Sequence, residues 1–241
     1  MSSTQIIYLV VPLLLLLSTT MSTAQEELAN VRLGAVSLDS KIRDIKYQTG
    51  SDVESLYVFK GQRSQTFDYR GAKDIVFFRE SGQLDAEGNP IRIKVGQCAL
   101  PATTGQYLLL FSQQSEDPEQ YRIFAISDDW KTFNSGTYRF LNLAPFDIAL
   151  RLDDTVHRIK ERNFTDVPAD FTNASNHKAV MVSLPDGEDP MRVFEGEIYF
   201  TENLRMLYLI NPKEGGRPGR VNFMAIPQAI PKTAPADETS Q

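Results

Sequence analysis

The sequence predicts an all-β protein of two tandem immunoglobulin-like β-sandwich domains that arose by internal duplication. Three observations carry this reading. The second half echoes the first at an offset of about one hundred residues, a domain-sized period rather than that of a solenoid. Tyr107-Leu108-Leu109-Leu110-Phe111 and Tyr121-Arg122-Ile123-Phe124-Ala125-Ile126 recur as Leu207-Tyr208-Leu209-Ile210 and Val221-Asn222-Phe223-Met224-Ala225-Ile226. Read without a gap, Pro118 faces Pro218, Ala125-Ile126 faces Ala225-Ile226, and Gly96 faces Gly196. Upstream, Pro90-Ile91-Arg92-Ile93 faces Pro190-Met191-Arg192-Val193. The second observation is strand periodicity. Ile91, Ile93 and Val95 alternate with Arg92 and Lys94, and runs such as Ile75-Val76-Phe77-Phe78 are too short for helices. The third is punctuation by turn residues at Lys60-Gly61, Arg70-Gly71, Glu87-Gly88-Asn89-Pro90, Asp186-Gly187 and Gly215-Gly216.

Residues 1–24 read as a signal peptide. Ile6 to Leu17 is almost wholly apolar and shorter than the roughly 20 residues that span a bilayer. Ser22-Thr23-Ala24 supplies small residues for cleavage after Ala24, and no Cys follows to make a lipoprotein signal. Met1 to Gln5 holds no Lys or Arg, so an uncleaved N-terminal anchor stays open as the alternative. Either way the expected address is export, to the periplasm or the cell surface. The mature chain is expected to contain no transmembrane span.

The first domain is placed at 31–128, with strands near 31–38, 54–60, 65–69, 74–79, 90–100, 106–112 and 121–126. The second is placed at 136–228, with strands near 137–143, 147–152, 155–160, 178–184, 190–200, 206–211 and 220–226. About seven short strands per domain match the immunoglobulin-like pattern. A single helical turn has room only at 53–57 or 128–133. The linker, near Ser127 to Ser135, holds the only tryptophan, Trp130, which is expected to wedge between two fixed domains. Residues 229–241 read as a disordered tail of small, polar and proline residues.

Composition narrows function by exclusion. The net charge of −6 belongs entirely to the mature chain, because Met1 to Ala24 has no charged residue. That balance argues against nucleic acid and against an anionic membrane surface. Cys98 is the only cysteine, so no intramolecular disulfide can form. It reads as a small buried hydrophobe whose repeat counterpart is Ile198.

Catalytic and metal chemistry find little purchase. His157 and His177 lie apart from any ligand spacing, and zinc needs several protein ligands. No serine sits in a Gly-x-Ser-x-Gly elbow, so a Ser-His-Asp triad is expected only through chance convergence. The paired carboxylates Asp128-Asp129, Asp153-Asp154 and Asp166 with Asp170 fall where solvated turns are expected. Asp85-Ala86-Glu87-Gly88-Asn89 and Asp186-Gly187-Glu188-Asp189 could offer calcium oxygen ligands, but read better as hairpin turns. No Gly-rich loop joins a strand to a helix, so no nucleotide cradle or other cofactor is expected. Candidate binding residues are Lys213, Arg217 and Arg220, gathered on the loop Pro212 to Arg220, and Trp130. Asn163-Phe164-Thr165 and Asn173-Ala174-Ser175 are sequons that matter only in a secretory pathway that glycosylates them.

At Gly136-Thr137-Tyr138-Arg139-Phe140-Leu141-Asn142-Leu143 the chain resembles uncharacterised exported bacterial proteins built from tandem β-sandwich domains. The resemblance extends in layout over the mature chain and implies a fold and an envelope location, with no catalytic residues to carry over. The layout is also similar to that of periplasmic pilus-assembly chaperones, which are exported pairs of immunoglobulin-like domains that donate an edge strand. The acidic balance departs from that family's basic character, and its paired basic anchors at the domain cleft have no counterpart. The expected function is therefore a non-catalytic envelope protein that binds or scaffolds a protein or glycan. The alternatives are a chaperone-like strand donor and a hydrolase with a dispersed carboxylate site.

Overall fold

The computed structural model describes residues 28–168, 175–213 and 217–229. The signal segment, the Asn173 sequon, Gly215-Gly216 and the tail from 230 lie outside the described residues. The first repeat contains β1 (Leu28–Ser37), β2 (Ile42–Thr49), β3 (Asp52–Val58), β4 (Phe67–Ala72), β5 (Asp74–Leu84), β6 (Pro90–Ala99), β7 (Thr104–Gln113) and β8 (Tyr121–Ser127). The second contains β9 (Thr137–Asn142), β10 (Asp147–Leu152), β11 (Thr155–Ile159), β12 (Phe164–Pro168), β13 (Ser175–Leu184), β14 (Met191–Phe200), β15 (Leu204–Pro212) and β16 (Val221–Ala229). Sheet orders are β4-β1-β7-β8 and β3-β2-β5-β6, then β12-β9-β15-β16 and β11-β10-β13-β14. Adding eight to each label of the first pair gives the second pair. The chain is two tandem β-sandwiches of one topology, each with a parallel pair, β1 with β7 and β9 with β15. Among the described residues no helix is long and apolar enough to cross a membrane.

Among the described residues each repeat has eight strands where the sequence predicts seven. In the first repeat the extra strand is β2. Its buried residues Ile42 and Ile45 are three apart, because Asp44 takes a left-handed φ of 58° at a bulge. The bulge breaks the period-two pattern from which strands are recognised. In the second repeat it is β12, a short edge strand with only Val167 buried, closed by Pro168. Residues 53–57 belong to β3, whereas at 128–133 a single turn does form, closed by Phe133 N donating to Asp129 O. β16 continues past Ile226 through Pro227, which pairs with Met206.

The ungapped register needs a correction of one residue. Ile126 pairs with Leu108, and Ile226 pairs with Leu207. Leu108 therefore corresponds to Leu207, not to Tyr208, and the loop after β15 is one residue longer than the loop after β7. A one-residue slip turns every side chain to the other face. Leu109 and Tyr208 indeed both enter their own domain's core.

Three apolar layers separate the four sheets. Within the first sandwich, Leu33, Ile45, Phe77, Leu109 and Phe111 are among the buried residues. Within the second, Tyr138, Phe140, Ile148, Met181 and Ile210 play that part. Between the domains, Val36, Leu108 and Leu110 of the first pack with Leu141, Leu207, Leu209 and Ile226 of the second. Leu108, Leu110, Leu207 and Leu209 are fully buried there, each with about 1.5–3 kcal/mol of apolar transfer. Gly96 is fixed by packing. A Cβ there would stand 2.7 Å from Ile123 Cδ1 and 3.0 Å from the Tyr121 carbonyl.

Candidate functional site

The domain junction concentrates the buried charge. Arg205 opens β15 on the face turned to the first domain and is wholly buried. Its Nη1 donates to the carbonyls of Asp128 (3.1 Å) and Phe133 (2.7 Å), and Nε and Nη2 to Gln228 Oε1 (2.9 and 2.6 Å). Nη2 also lies 3.2 Å from Asp128 Oδ2, the oxygen that Arg63 of the first domain engages. Arg139 of β9 forks onto Asp166 of β12 at 2.7 Å twice and donates to the carbonyls of Ser127 and Thr132. Two arginines of the second domain thus grip four linker carbonyls. Burial draws the Arg205 guanidinium down to about 10 while Asp128 opposes the shift, so it stays charged at neutral pH.

Trp130 is half-buried in this junction, with its indole stacked on Arg205 at 3.7 Å from guanidinium carbon to ring centroid. Lys213, Arg217 and Arg220 are exposed at the far end of β15. Lys213 N donates to Arg220 O, and Arg220 N to Arg217 O, so the three share one hairpin loop. With about 3.3 Å of rise per strand residue, β15 holds that loop more than 20 Å from Trp130. The structure does not bring the four together. Gly219, near the loop's end, is closely packed. At φ 88°, it sits where a Cβ would stand 2.9 Å from Ser183 Oγ.

A groove of about 870 Å³ opens on the first domain, within the usual range for ligand sites. Its apolar lining includes Leu28, Tyr69, Val76 and Phe78, and its cations are Arg70, Arg92 and Lys94. Arg92 lies over the Phe78 ring at 4.6 Å and bonds Gln48. This groove was not legible in the sequence, because its lining comes from β1, β2, β4, β5 and β6.

Other candidates resolve into structure. Cys98 is buried and its thiol is pushed up to about 11 by burial, which leaves little nucleophilic thiolate. Asp85 caps its own hairpin, with Oδ1 accepting from the amides of Glu87 and Asn89 (2.9 and 2.8 Å), and its carboxyl is held low chiefly by Asn89. Among the described residues no group of three or more His, Cys, Asp or Glu gathers for a metal ion. Of the paired carboxylates, Asp128 is not on a solvated turn: it is 3% exposed, inside the junction. Asp166 is held by Arg139, and Asp170 lies outside the described residues. Asn163 is exposed, and His157 is half-buried on β11.

Asp153 belongs to a constellation that the sequence reading passed over. His177 Nε2 lies 2.7 Å from Ser175 Oγ, and Nδ1 lies 2.6 Å from Asp153 Oδ2. The Lys178 amide donates to Asp153 Oδ1 at 3.0 Å. These contacts, His177 first, hold the Asp153 carboxyl below its ordinary value. The pairing of β10 with β13 brings the three together across 24 positions, a contact that no local motif announces. Comparison of the chain with protein-family models and with curated proteins finds no match.

Proposed function

We propose that the protein is an exported, two-domain binding module that holds or scaffolds a protein or glycan partner at the cell envelope. The observation that carries this reading is the groove on the first domain. It combines apolar walls (Val76, Phe78, Tyr69) with three cations (Arg70, Arg92, Lys94) against one carboxylate, Asp74, on a chain whose overall charge is acidic. Local charge opposite to the global charge favours an acidic stretch of partner. The apolar layer between the sandwiches and the arginine-gripped linker support the reading. They hold the two domains in one arrangement, so little ordering entropy is lost on binding.

The test is a crosslinking pull-down with the mature chain against envelope extract from its own cell, run beside the double variant Arg92→Glu, Lys94→Glu. Both positions are exposed, so the variant is expected to fold normally. One defined partner, recovered by the parent and lost by the variant, is the expected result. Equal recovery by both, or recovery of nothing specific, removes the groove from the account.

A further inference from the structure

We propose that the second domain carries a serine nucleophile, Ser175, activated by His177, that transfers small uncharged acyl groups from esters to water. The activity goes beyond the binding role and uses a different domain.

The geometry is that of an activated alcohol. Ser175 and His177 are two residues apart on β13, so both side chains point to the same side of the sheet. The hydroxyl oxygen is 2.7 Å from Nε2, close enough for proton transfer along that line. Asp153, on the tight turn from β10 to β11, accepts from Nδ1 and is itself steadied by the Lys178 amide. An acceptor at Nδ1 places the neutral ring's proton there and leaves the Nε2 lone pair facing the serine. The imidazole is also held edge-on to Phe200 at 5.2 Å. That apolar ring is the reason to expect an uncharged acyl group.

The two repeats supply an independent argument. Phe77 pairs with Gly96 and Ala179 with Gly196, so His177 occupies the position that Ile75 fills in the first domain, and Ser175 that of Lys73. Ile75 is a buried core residue. A histidine at a core-facing position is costly unless its nitrogens are partnered. Here both nitrogens are partnered, by a hydroxyl on one side and a carboxylate on the other. A purely structural solution already exists in the sister domain and uses an aliphatic side chain.

The reaction balances with water as the second substrate. Ser175 Oγ forms a bond to the ester carbonyl carbon while its proton passes to His177 Nε2. The bond from that carbon to the leaving oxygen breaks, and the leaving oxygen takes the proton from Nε2. Water then attacks the acyl-serine, gives one proton to Nε2, and releases the carboxylic acid as Ser175 regains its hydrogen. Ser175 and His177 touch the reacting atoms, and Asp153 is a positioning residue.

The test needs no natural substrate. The full mature chain is incubated with an alkyl fluorophosphonate, in which Oγ displaces fluoride from phosphorus, and the adduct is located by peptide mass analysis. The proposal expects a single phosphonyl adduct on Ser175. It expects the labelling rate to fall by about 10²-fold or more in His177→Gln. In Asp153→Asn the rate falls by about tenfold or more, and the imidazole nitrogen shifts move the ring proton off Nδ1. Circular dichroism confirms that each variant is folded. An adduct on another serine, no adduct on folded parent protein, or labelling of Ser175 that survives His177→Gln overturns the proposal. p-Nitrophenyl acetate provides the second readout, expected to show a nitrophenol burst that is absent in Ser175→Ala.

Discussion

The two sandwiches share one strand order and differ in what they place on the faces they turn toward each other. Val36, Leu108, Leu110 and Ile126 of the first domain have Leu141, Leu207, Leu209 and Ile226 as counterparts, so the apolar part of the contact is the same patch twice. At the linker end the match fails. Gly34 pairs with Leu108 where Arg139 pairs with Leu207, and Gln106 holds the place of Arg205. Among the described residues the second domain contributes the two buried arginines that grip the linker carbonyls, while Arg63 of the first domain reaches only Asp128. Apolar burial is non-directional and tolerates duplication. A buried charge must find named partners, so each arginine stands where the linker offers a carbonyl or Asp128 rather than at matching places in the two repeats.

The sharpest way to break that comparison is Arg205→Ala. It leaves Asp128 buried with less compensation and frees two linker carbonyls, and unfolding in urea is expected to lose about 3–5 kcal/mol. Gln106→Ala at the matching place is expected to lose less than about 1 kcal/mol. Equal losses would mean that the junction does not depend on the arginine. Leu110→Ala and Leu209→Ala test the shared part. Each is expected to cost about 2–5 kcal/mol, with closely similar values. A wide gap in their urea midpoints would show that one domain collapses around the cavity and the other does not.

Smaller effects sharpen the difference between the loops. Gly219→Ala forces an L-residue to φ 88° against Ser183 and is expected to lose about 1–3 kcal/mol. Its counterpart Glu119→Ala, on an exposed loop, is expected to change stability by less than about 0.5 kcal/mol in the same melt. Acid sensitivity is the mildest. Asp147 is held below its ordinary value by the Glu161 amide and then by Arg158, and Asp153 by His177. Depressed carboxyl values add stability that is fully present above the unfolded value near 4 and is lost as pH falls through the folded value. Asp147→Asn is therefore expected to lower the melting temperature slightly at pH 7 and to leave it nearly unchanged well below about pH 4, which flattens the decline between the two.

Much of the architecture was legible because duplication writes itself twice. Gly96 and Gly196, and Ile126 and Ile226, fixed the period without any knowledge of pairing. Local disturbance hid the rest. The bulge at Asp44 concealed β2, and one extra residue in the loop after β15 displaced the register by one side chain. Sites fared worse for a topological reason. Trp130 could be placed at the junction because it lies in the linker, but its partner Arg205 is 75 positions away, and nothing local marks that strand-opening arginine for burial. Ser175 and His177 stand in plain view as Ser-x-His, but Asp153 joins them only through strand pairing.

The apolar patch between the sandwiches also bears on symmetry. Equivalent positions meeting across one interface is how identical subunits close around a two-fold axis. On a single repeat Val36, Leu108, Leu110 and Ile126 would face water, and here the matching patch of the second repeat covers them. Because the two copies share one chain they need not stay identical, so Arg139 and Arg205 stand in one half where Gly34 and Gln106 stand in the other.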